Sequence, residues 1–598
     1  MWYPTGMDDP ASSDTRHPLG QRARVLLTSV FGPYARDDDY GSRAVNPMEL
    51  YHNQVTREQG VFSLRMFHRS WGLMLIQANL DAPCVLLDFP SLERFVEELA
   101  SERWDVVGIS SIQPNVGKVK AMCELVRRHC PQATIVVGGH VANLPGLRER
   151  VGADHVVRGE GVRWFRRFLG EPEQRPIRHP LITSAFESRT MGVRFGSGKG
   201  ETAATLIPSV GCPLGCNFCS TSAMFGGKGR FYDFYRDGDE LFSVMTGLER
   251  ALGVRSFFVM DENFLLHRPR ALRLLERMRA CEKAWSLYVF SSANALRRYA
   301  DEELLGLGVS WVWLGLEGEA SGYSKLRRTD TLGLVRRLQG LGIRVLGSSI
   351  VGLPEHTPDN IDAVIDFAVA HDTEFHQFML YTPVAGTPLY AEHRAAGTLL
   401  GEADCSEADA HGQLRFNFRH PHIRNGEETE FLRRAFRRDF AVNGPSIARI
   451  ARTLLLGWQS HRDHPDPRVR DRVAWESRGL PTIYAGALWA AEHWLRRDPA
   501  VARRIRATRT ELVREFGLKA RLAGPAIGSV LLGALRLEQR RIRRGATREP
   551  RTFFEANPAA LPAVARRGAV ACRWVEPESP PPEAPEPAAV EVPAFDLA

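Results

Sequence analysis

Cysteine is scarce in this sequence, which contains nine in 598 residues. Six of the nine are widely scattered, at Cys84, Cys123, Cys130, Cys281, Cys405 and Cys572. The chain also lacks an uninterrupted apolar run of about 20 residues, and its first residues lack the basic start and apolar stretch of a signal peptide. These absences argue against a disulfide-stapled secreted scaffold and predict a cytoplasmic protein with reduced thiols.

A strong excess of one charge is absent as well. The 78 Lys and Arg residues outnumber the 70 Asp and Glu residues by only eight. This excess is modest for the length, so we expect no nucleic-acid partner. The length itself exceeds the roughly 250–300 residues at which a single core stops growing, so several domains are expected.

Short apolar strands alternate with helical segments from Arg24–Val30 onwards, a pattern that predicts a parallel sheet covered on both faces. Such sheets bind ligands beyond the carboxyl ends of their strands. Three of those ends, Ser110–Asn115, Gly138–Asn143 and Arg158–Gly161, are small, polar and glycine-rich. They could hold a flat ligand close to the backbone, or they could be ordinary tight turns.

A second series of six strands and intervening helices begins at Ala203 and predicts a partial parallel barrel with its active site at the carboxyl ends of the strands. Arginine-rich helices follow from about residue 400, and the last 27 residues are dominated by Pro, Glu and Ala. The predicted fold class is therefore α/β, a Rossmann-like domain plus a partial (β/α)6 barrel, with a helical C-terminal region. The predicted parts are an irregular N-terminus (1–22), the first domain (23–170), a linker (171–202), the barrel (203–395), the helical region (396–550) and a disordered tail (551–598).

The three remaining cysteines form a cluster, Cys212-x3-Cys216-x2-Cys219, just after the first barrel strand. Structural zinc takes four ligands, often as two CxxC pairs, and no second pair exists in the sequence. Three cysteines can hold a [4Fe–4S] cluster and leave one iron open for a substrate or cofactor. We therefore predict an iron–sulfur cluster with Cys212, Cys216 and Cys219 as its metal ligands.

This spacing, with the aromatic Phe218 before the last cysteine, resembles the hallmark of the radical S-adenosylmethionine (SAM) superfamily. The resemblance implies that the open iron chelates SAM, which is cleaved to a 5′-deoxyadenosyl radical. It covers about Ala203–Pro388 and carries further SAM contacts onto matching strand ends, although the two glycines usual before Glu262 are absent. The implied SAM-binding residues are Phe218 and Val351-Gly352 near adenine, Met260-Asp261-Glu262 for the amino group, Glu317 for the ribose, and Arg327 or Arg328, of which we favour Arg328, for the carboxylate.

With such a barrel downstream, the first domain resembles the cobalamin-binding domain of one large radical SAM subclass. The implied cobalamin contacts are Ser110, Ser111, Gln113, Gly138, Gly139, His140, Gly159 and Glu160. The D-x-H-x-x-G signature that supplies a cobalt-ligating histidine is absent, because Met66 stands in the Asp position before His68. His140 is interpreted as a turn or surface histidine. The alternative is a Rossmann-like domain with a structural role only; a nicotinamide site is not expected, since no G-x-G-x-x-G follows the first strand.

The resulting hypothesis is a cobalamin-dependent radical SAM C-methyltransferase that acts on an unactivated carbon of a lipid, an isoprenoid or a natural-product precursor. Its cofactors would be a [4Fe–4S] cluster, SAM and cobalamin, and its partners an electron donor such as flavodoxin or ferredoxin. The basic C-terminal helices predict peripheral contact with a membrane, or else a helical cap with solvated arginines. The alternatives are a non-methylating radical SAM enzyme, which would form C–C bonds, cyclise or rearrange, and a non-catalytic cobalamin or iron–sulfur sensor.

Overall fold

The computed structural model describes residues 16–32, 40, 53–184, 188–194, 202–317, 329–546 and 550–577. The first domain is built on a parallel sheet with the strand order β2-β1-β3-β4-β5. Its strands are β1 (Val25–Ser29), β2 (Cys84–Asp88), β3 (Val106–Ser110), β4 (Thr134–Gly138) and β5 (His155–Val156). Its helices are Trp71–Ala78, Leu92–Ser101, Val116–His129, Leu147–Val151 and Gly161–Phe168.

Both faces of this sheet are buried, which explains why its strands are apolar without alternation. Leu27 and Leu86 face one hydrophobic core, and Leu26 and Leu87 face a second core on the opposite side. In the order β2-β1-β3, the strand β1 lies between β2 and β3. The chain therefore adds β2 on one side of β1 and β3, β4 and β5 on the other. The carboxyl ends of β3, β4 and β5 therefore meet at one edge, as the sequence predicted.

The second domain is a six-stranded parallel sheet whose strands follow one another in chain order. Its strands are β6 (Ala204–Leu206), β7 (Ser256–Val259), β8 (Ser286–Ser291), β9 (Val309–Glu317), β10 (Arg344–Val351) and β11 (Phe375–Leu380). Its helices are Ser220–Met224, Gly238–Leu252, Arg268–Ala280, Ala293–Leu296, Asp301–Gly306, Thr331–Gly340, Ile361–Val369 and Pro388–Ala395. Together the two domains confirm the predicted fold class.

Aromatic rings pack against one another along the inner face of the barrel. The ring centroids of Phe290 and Trp313 are 4.9 Å apart, and those of Trp311 and Phe375 are 5.1 Å apart. These residues alternate with aliphatic residues such as Val289 that pack against the outer helices. These rings pack inside the barrel below the strand ends, so we expect ligands to bind at the strand-end loops.

The C-terminal region is helical, as predicted. Its helices are Glu427–Asn443, Ser446–His461, Pro467–Ser477, Ala485–Trp494, Pro499–Arg543 and Leu561–Val564. The helix Pro499–Arg543, called the long helix below, contains a stretch that is long and apolar enough to cross a membrane by length and composition alone; it is the one such helix among the residues described. Only 22% of that stretch is buried inside the protein.

The chain returns to the first domain after the long helix. The strand β12 (Phe553–Ala556) pairs antiparallel with β2, and β13 (Val570–Ala571) extends the same sheet. Glu555 forms an ion pair with Arg69. The prediction of disorder from residue 551 is therefore wrong for residues 551–577, because their apolar strand completes a sheet edge; residues 578–598 lie outside the described residues.

The predicted linker contains a buried residue that positions the barrel. His179 is fully buried, and its Nε2 accepts a hydrogen bond of 3.0 Å from the backbone N–H of Ile207, just after β6. Burial lowers the pKa of His179 to about 4, so the ring is neutral and can accept this bond. His179 thus fixes the start of the segment that leads into the cysteine cluster.

Candidate functional site

The cysteine cluster lies on a tight loop between the short strand Ser209–Val210 and the helix Ser220–Met224. Gly215 has a φ of 64°, and a Cβ there would lie 2.5 Å from the Cα of Lys228. The N–H of Cys219 donates to the carbonyl oxygen of Cys216 at 3.0 Å. The loop is therefore held closely against the segment that follows the helix, and only glycine fits at its tightest point.

The three thiols suit a cluster better than a single metal ion. All three cysteines are half-buried, and burial raises the pKa of Cys212 to about 12 and also raises that of Cys219. Within the described ranges, no three Cys, His, Asp or Glu side chains converge as one metal ion would require. A [4Fe–4S] cluster binds each thiolate through a different iron, so it accepts ligands spread around a loop.

Glu262, at the carboxyl end of β7, is directed toward the cysteine loop. Its Oε2 is buried without a hydrogen-bond partner, and its charge acts on the thiols of Cys212 and Cys219. Burial, followed by the charge of Asp261, raises the pKa of Glu262 to about 8. Glu262 is therefore mostly protonated near neutral pH in the absence of a ligand, and an ammonium group bound beside its unused oxygen, such as the amino group of SAM, would favour the ionised form.

The neighbours of Glu262 have different surroundings. Both oxygens of Asp261 are engaged, since Oδ2 accepts a 2.7 Å bond from the Ser209 hydroxyl and pairs with Arg270, while Oδ1 accepts from the N–H of Asn263 at 3.0 Å. The N–H of Met260 donates to Leu206 on β6 at 2.7 Å. Asp261 and Met260 therefore hold the strand end in place beside Glu262, and their assignment as SAM contacts stays a prediction.

The predicted adenine-side residues come together at the end of β10. Phe218 packs against the apolar cluster that includes Val351. Gly352 has a φ of 81°, its N–H donates to Nδ1 of His356 at 3.0 Å, and a Cβ at this position would lie 2.3 Å from the ring of Phe416. The backbone at Gly352 therefore has no room for a side chain, because the ring of Phe416 fills that space.

Two further predicted SAM contacts lie on or beyond β9. Glu317 is buried at the last position of β9, with a φ of 51°, opposite Ser349 of β10. A positive φ at a residue other than glycine is sparsely populated and is a form of strain that clusters at ligand sites. Arg328, and Arg327 before it, lie outside the described residues.

The strand-end loops of the first domain form a cradle with unused polar atoms. The Oγ of Ser111 and the Nδ1 of His140 are buried without a partner. Gly139 has a φ of 80°, and a Cβ there would lie 2.5 Å from the carbonyl oxygen of Ser111. His140 lies in a turn, as interpreted from the sequence, but burial of its ring lowers its pKa, so it is neutral. A glycine cradle with orphaned polar atoms fits a polar, flat ligand such as cobalamin.

Other residues predicted to contact cobalamin stabilise the loops at this edge of the first sheet. The Oε atoms of Glu160 accept from the backbone N–H groups of Val162 and Arg163 at 2.5 and 2.9 Å, so its carboxylate caps the following helix. The Nε2 of Gln113 donates to the carbonyl oxygen of Ala385 at 3.0 Å, which ties the edge to the barrel. Ser110 and Gly138 are the last residues of β3 and β4, and Gly159 follows the end of β5 by three residues.

The two predicted sites face each other. The turn His140–Asn143 of the first domain contacts the helix Ser220–Met224 that follows the cysteines. A Cβ at Gly159 would lie 3.9 Å from the carbonyl oxygen of Met224. Sequence reasoning missed Asn217, whose Oδ1 is buried without a partner and whose carbonyl oxygen accepts from the N–H of Leu389 at 3.1 Å. Its position inside the cysteine motif was the only signal.

Comparison with known proteins matches both domains. Residues 60–169 match the B12 binding domain, and residues 206–368 match the radical SAM superfamily. An uncharacterized methyltransferase of Pyrococcus horikoshii is 26% identical over 337 residues, which cover 50% of this chain and 70% of that protein. The bacteriochlorophyllide d C-12(1)-methyltransferase of Chlorobaculum tepidum is 28% identical over 198 residues, which cover 31% of this chain and 42% of that protein.

A solved radical SAM methyltransferase, TsrM from Kitasatospora setae with cobalamin and a [4Fe–4S] cluster bound, gives a TM-score of 0.46 at 17% identity and covers 76% of this chain and 99% of that chain. In this chain, the B12 binding match falls on the first series of strands and the radical SAM match on the second. This is therefore a protein with a B12 binding domain followed by a radical SAM domain, as in the methyltransferases that it resembles.

Proposed function

We propose that this enzyme transfers a methyl group to an unactivated carbon of an apolar acceptor, either a lipid or isoprenoid or a natural-product precursor. When bound, the cluster and SAM supply a 5′-deoxyadenosyl radical, and cobalamin supplies the methyl group. The observation that carries the proposal is the contact between the turn His140–Asn143 and the helix Ser220–Met224, because it brings the two proposed cofactor cradles next to each other.

Different residues of the chain have different roles toward the cofactors. Cys212, Cys216 and Cys219 bind the cluster, Glu262 binds the amino group of SAM, and the backbone at Gly352 lies along its adenine. The helix that follows the cysteine loop contacts the first domain, and the loop itself is bonded to the helix Pro388–Ala395, so both would help to enclose the bound cofactors. Enclosure excludes water and reductant, which would otherwise consume a carbon radical.

The choice of an apolar acceptor is supported by the named chemistry of a relative and by the form of the barrel. The Chlorobaculum tepidum relative is named for a bacteriochlorophyllide, a large ring system. The inner face of this barrel carries stacked rings, including Phe290 and Trp313, below the strand ends. An apolar acceptor would rest on this aromatic floor without leaving polar groups unpaired.

Electrons would arrive from an acidic donor such as flavodoxin or ferredoxin. Lys228 and Arg230 are exposed on the segment that packs against Gly215 of the cysteine loop. A basic surface this close to the cysteines would steer an acidic protein to them.

The test of the proposed function is an anaerobic incubation of reconstituted, cobalamin-loaded protein with a reductant, a cellular lipid extract and SAM that carries a deuterated methyl group. We expect 5′-deoxyadenosine and S-adenosylhomocysteine to form and the label to enter a lipid. Formation of 5′-deoxyadenosine without S-adenosylhomocysteine would replace methyl transfer with a cyclisation or rearrangement. Formation of neither product, by protein that holds all three cofactors, would favour a sensor.

Replacement of Glu262 by Gln tests its role toward the amino group of SAM. Loss of a buried, charge-assisted hydrogen bond costs about 1.5–3 kcal/mol, so SAM affinity is expected to fall by roughly 10- to 100-fold. Calorimetric titration of the cluster-loaded protein with SAM measures the change. The matched control is Glu276→Gln, whose side chain is 62% exposed on an outer helix; equal affinities in both variants would remove Glu262 from the site.

A further inference from the structure

The long helix presents an apolar stripe on the side that faces away from the protein. The four large residues of the stripe are Leu518 (68% exposed), Leu522 (61%), Val530 (73%) and Leu537 (65%). At about 100° per residue they fall within an arc of about 120°, together with the small residues Ala526, Ser529 and Gly533. Exposed leucines occur singly on most proteins, but an aligned set of four on one helix is a feature of interaction surfaces.

The opposite side of the same helix fixes this orientation. Ala520, Gly524 and Gly528 are buried and face the helix Ala485–Trp494; a Cβ at Gly528 would lie 2.4 Å from the ring of Trp489. Small residues at intervals of four allow the two helix backbones to approach closely. If the long helix were rotated to bury its leucines, large side chains would have to fit against the helix Ala485–Trp494, where only glycine and alanine fit.

Charge is concentrated on this helix. Pro499–Arg543 contains eleven Lys and Arg residues and three Glu residues, a net charge of +8, which equals the net charge of the whole chain. The remainder of the chain therefore sums to zero. The segment bends at Gly517 (φ 60°, ψ −138°), and the part beyond this residue, which carries the apolar stripe, contains six Lys and Arg residues and one Glu residue, a net charge of +5. Lys519 is exposed at one end of the apolar stripe, and Arg536 and Arg540 are exposed at the other.

We propose that this face of the long helix docks on an anionic phospholipid bilayer and lies in the plane of its surface. The leucines and Val530 would enter the boundary between headgroups and acyl chains, while the flanking basic side chains contact lipid phosphates. Each basic side chain near an anionic surface adds attraction that salt weakens. A second copy of the chain is disfavoured as the occupant, because it would bring another segment of net charge +5 against this one.

The helix lies on the bilayer rather than across it because its uncharged segment is short. The run between Arg521 and Arg536, Leu522–Leu535, has 14 residues. At 1.5 Å per residue it spans about 21 Å, less than the roughly 30 Å of a hydrocarbon core. One side of the run is also packed against protein. If the proposed function holds, docking would bring the enzyme to a reservoir of apolar acceptors.

The test is flotation of the full-length protein with vesicles of phosphatidylglycerol and phosphatidylcholine in equal amounts, and with vesicles of phosphatidylcholine alone. We expect binding to the anionic vesicles that weakens as salt rises and is at least about tenfold weaker on neutral vesicles. The double variant Leu522→Glu/Val530→Glu is expected to lower the partition coefficient on anionic vesicles by about tenfold or more.

The matched control is Val442→Glu/Leu456→Glu, which replaces exposed residues of the same types on other helices with the same change of charge. This control is expected to change partitioning by about twofold or less, and circular dichroism verifies that both variants are folded. Equal binding to the two kinds of vesicle, or equal losses in the two variants, would overturn the proposal. A dimer in light scattering that Leu522→Glu/Val530→Glu dissociates would overturn it in favour of a second copy. Vesicle binding needs no turnover, so its failure is separate from failure of the proposed function.

Discussion

Alanine in place of Cys216 is expected to abolish formation of 5′-deoxyadenosine from SAM. The cluster needs three thiolates, and this variant leaves two. Loss of a group that only supports a metal ligand lowers metal affinity or activity by about 10- to 100-fold, and loss of the ligand itself should lower them further. Iron and sulfide content of the reconstituted protein should fall along with the activity. Cys216 is half-buried on a loop outside the cores, so the melting temperature should change little.

The matched control is Cys281→Ala. Cys281 is exposed at the end of the helix Arg268–Ala280, away from the site. This variant should bind iron and cleave SAM as the parent protein does. If Cys216→Ala kept its iron and its SAM cleavage, the cluster could not lie where the cysteine spacing and the loop geometry place it.

Alanine in place of Gly139 is expected to remove cobalamin from the protein. A Cβ at this position would lie 2.5 Å from the carbonyl oxygen of Ser111 and 2.8 Å from the Oγ of Ser110, so the two strand-end loops would have to separate. Those loops form the predicted cradle. Protein from cells grown with the vitamin should retain less than about a tenth of the parent's cobalamin, since a cradle displaced by about 1 Å loses its hydrogen bonds.

Gly146→Ala provides the comparison for this variant. Gly146 has a φ of 61°, similar to the 80° of Gly139, but a Cβ at Gly146 would have no atom within 4 Å. Both variants therefore carry the backbone strain of a side chain at positive φ, about 1 kcal/mol, and only Gly139→Ala disturbs the loops. Equal cobalamin content in the two purified proteins, measured by absorbance, would show that the predicted cradle does not hold the cofactor.

Short-range patterns were sufficient to predict much of the fold. Strands such as Val106–Ser110 and Ser256–Val259 are mostly apolar because both of their faces are buried, and this signal is local. The strand Phe553–Ala556 escaped prediction for the opposite reason. Its partner, β2, lies more than 460 residues earlier in the chain, and the Pro-rich composition that follows it suggested disorder.

Within the site, too, the residues predicted correctly are those that a local pattern identifies, and the roles that depend on packing were not predicted. The spacing of Cys212, Cys216 and Cys219 alone indicated a metal-binding loop. Residues 260–262 were equivalent candidates in the sequence, yet Asp261 is paired with Arg270 while Glu262 keeps an unused oxygen beside the cysteines. That difference depends on which side of a strand end each residue faces and on what packs there.

The sequence by itself determined the chemistry of the cysteine loop, the two series of parallel strands and the basic character of the long helix, because each depends on residues close together in the chain. Only the tertiary structure decided that the turn at His140 meets the helix after the cysteines, and that Leu522 and Val530 face outward while Gly528 faces the protein. Such pairings are set by packing between segments hundreds of residues apart, where shape and burial select one arrangement among many that the local pattern allows.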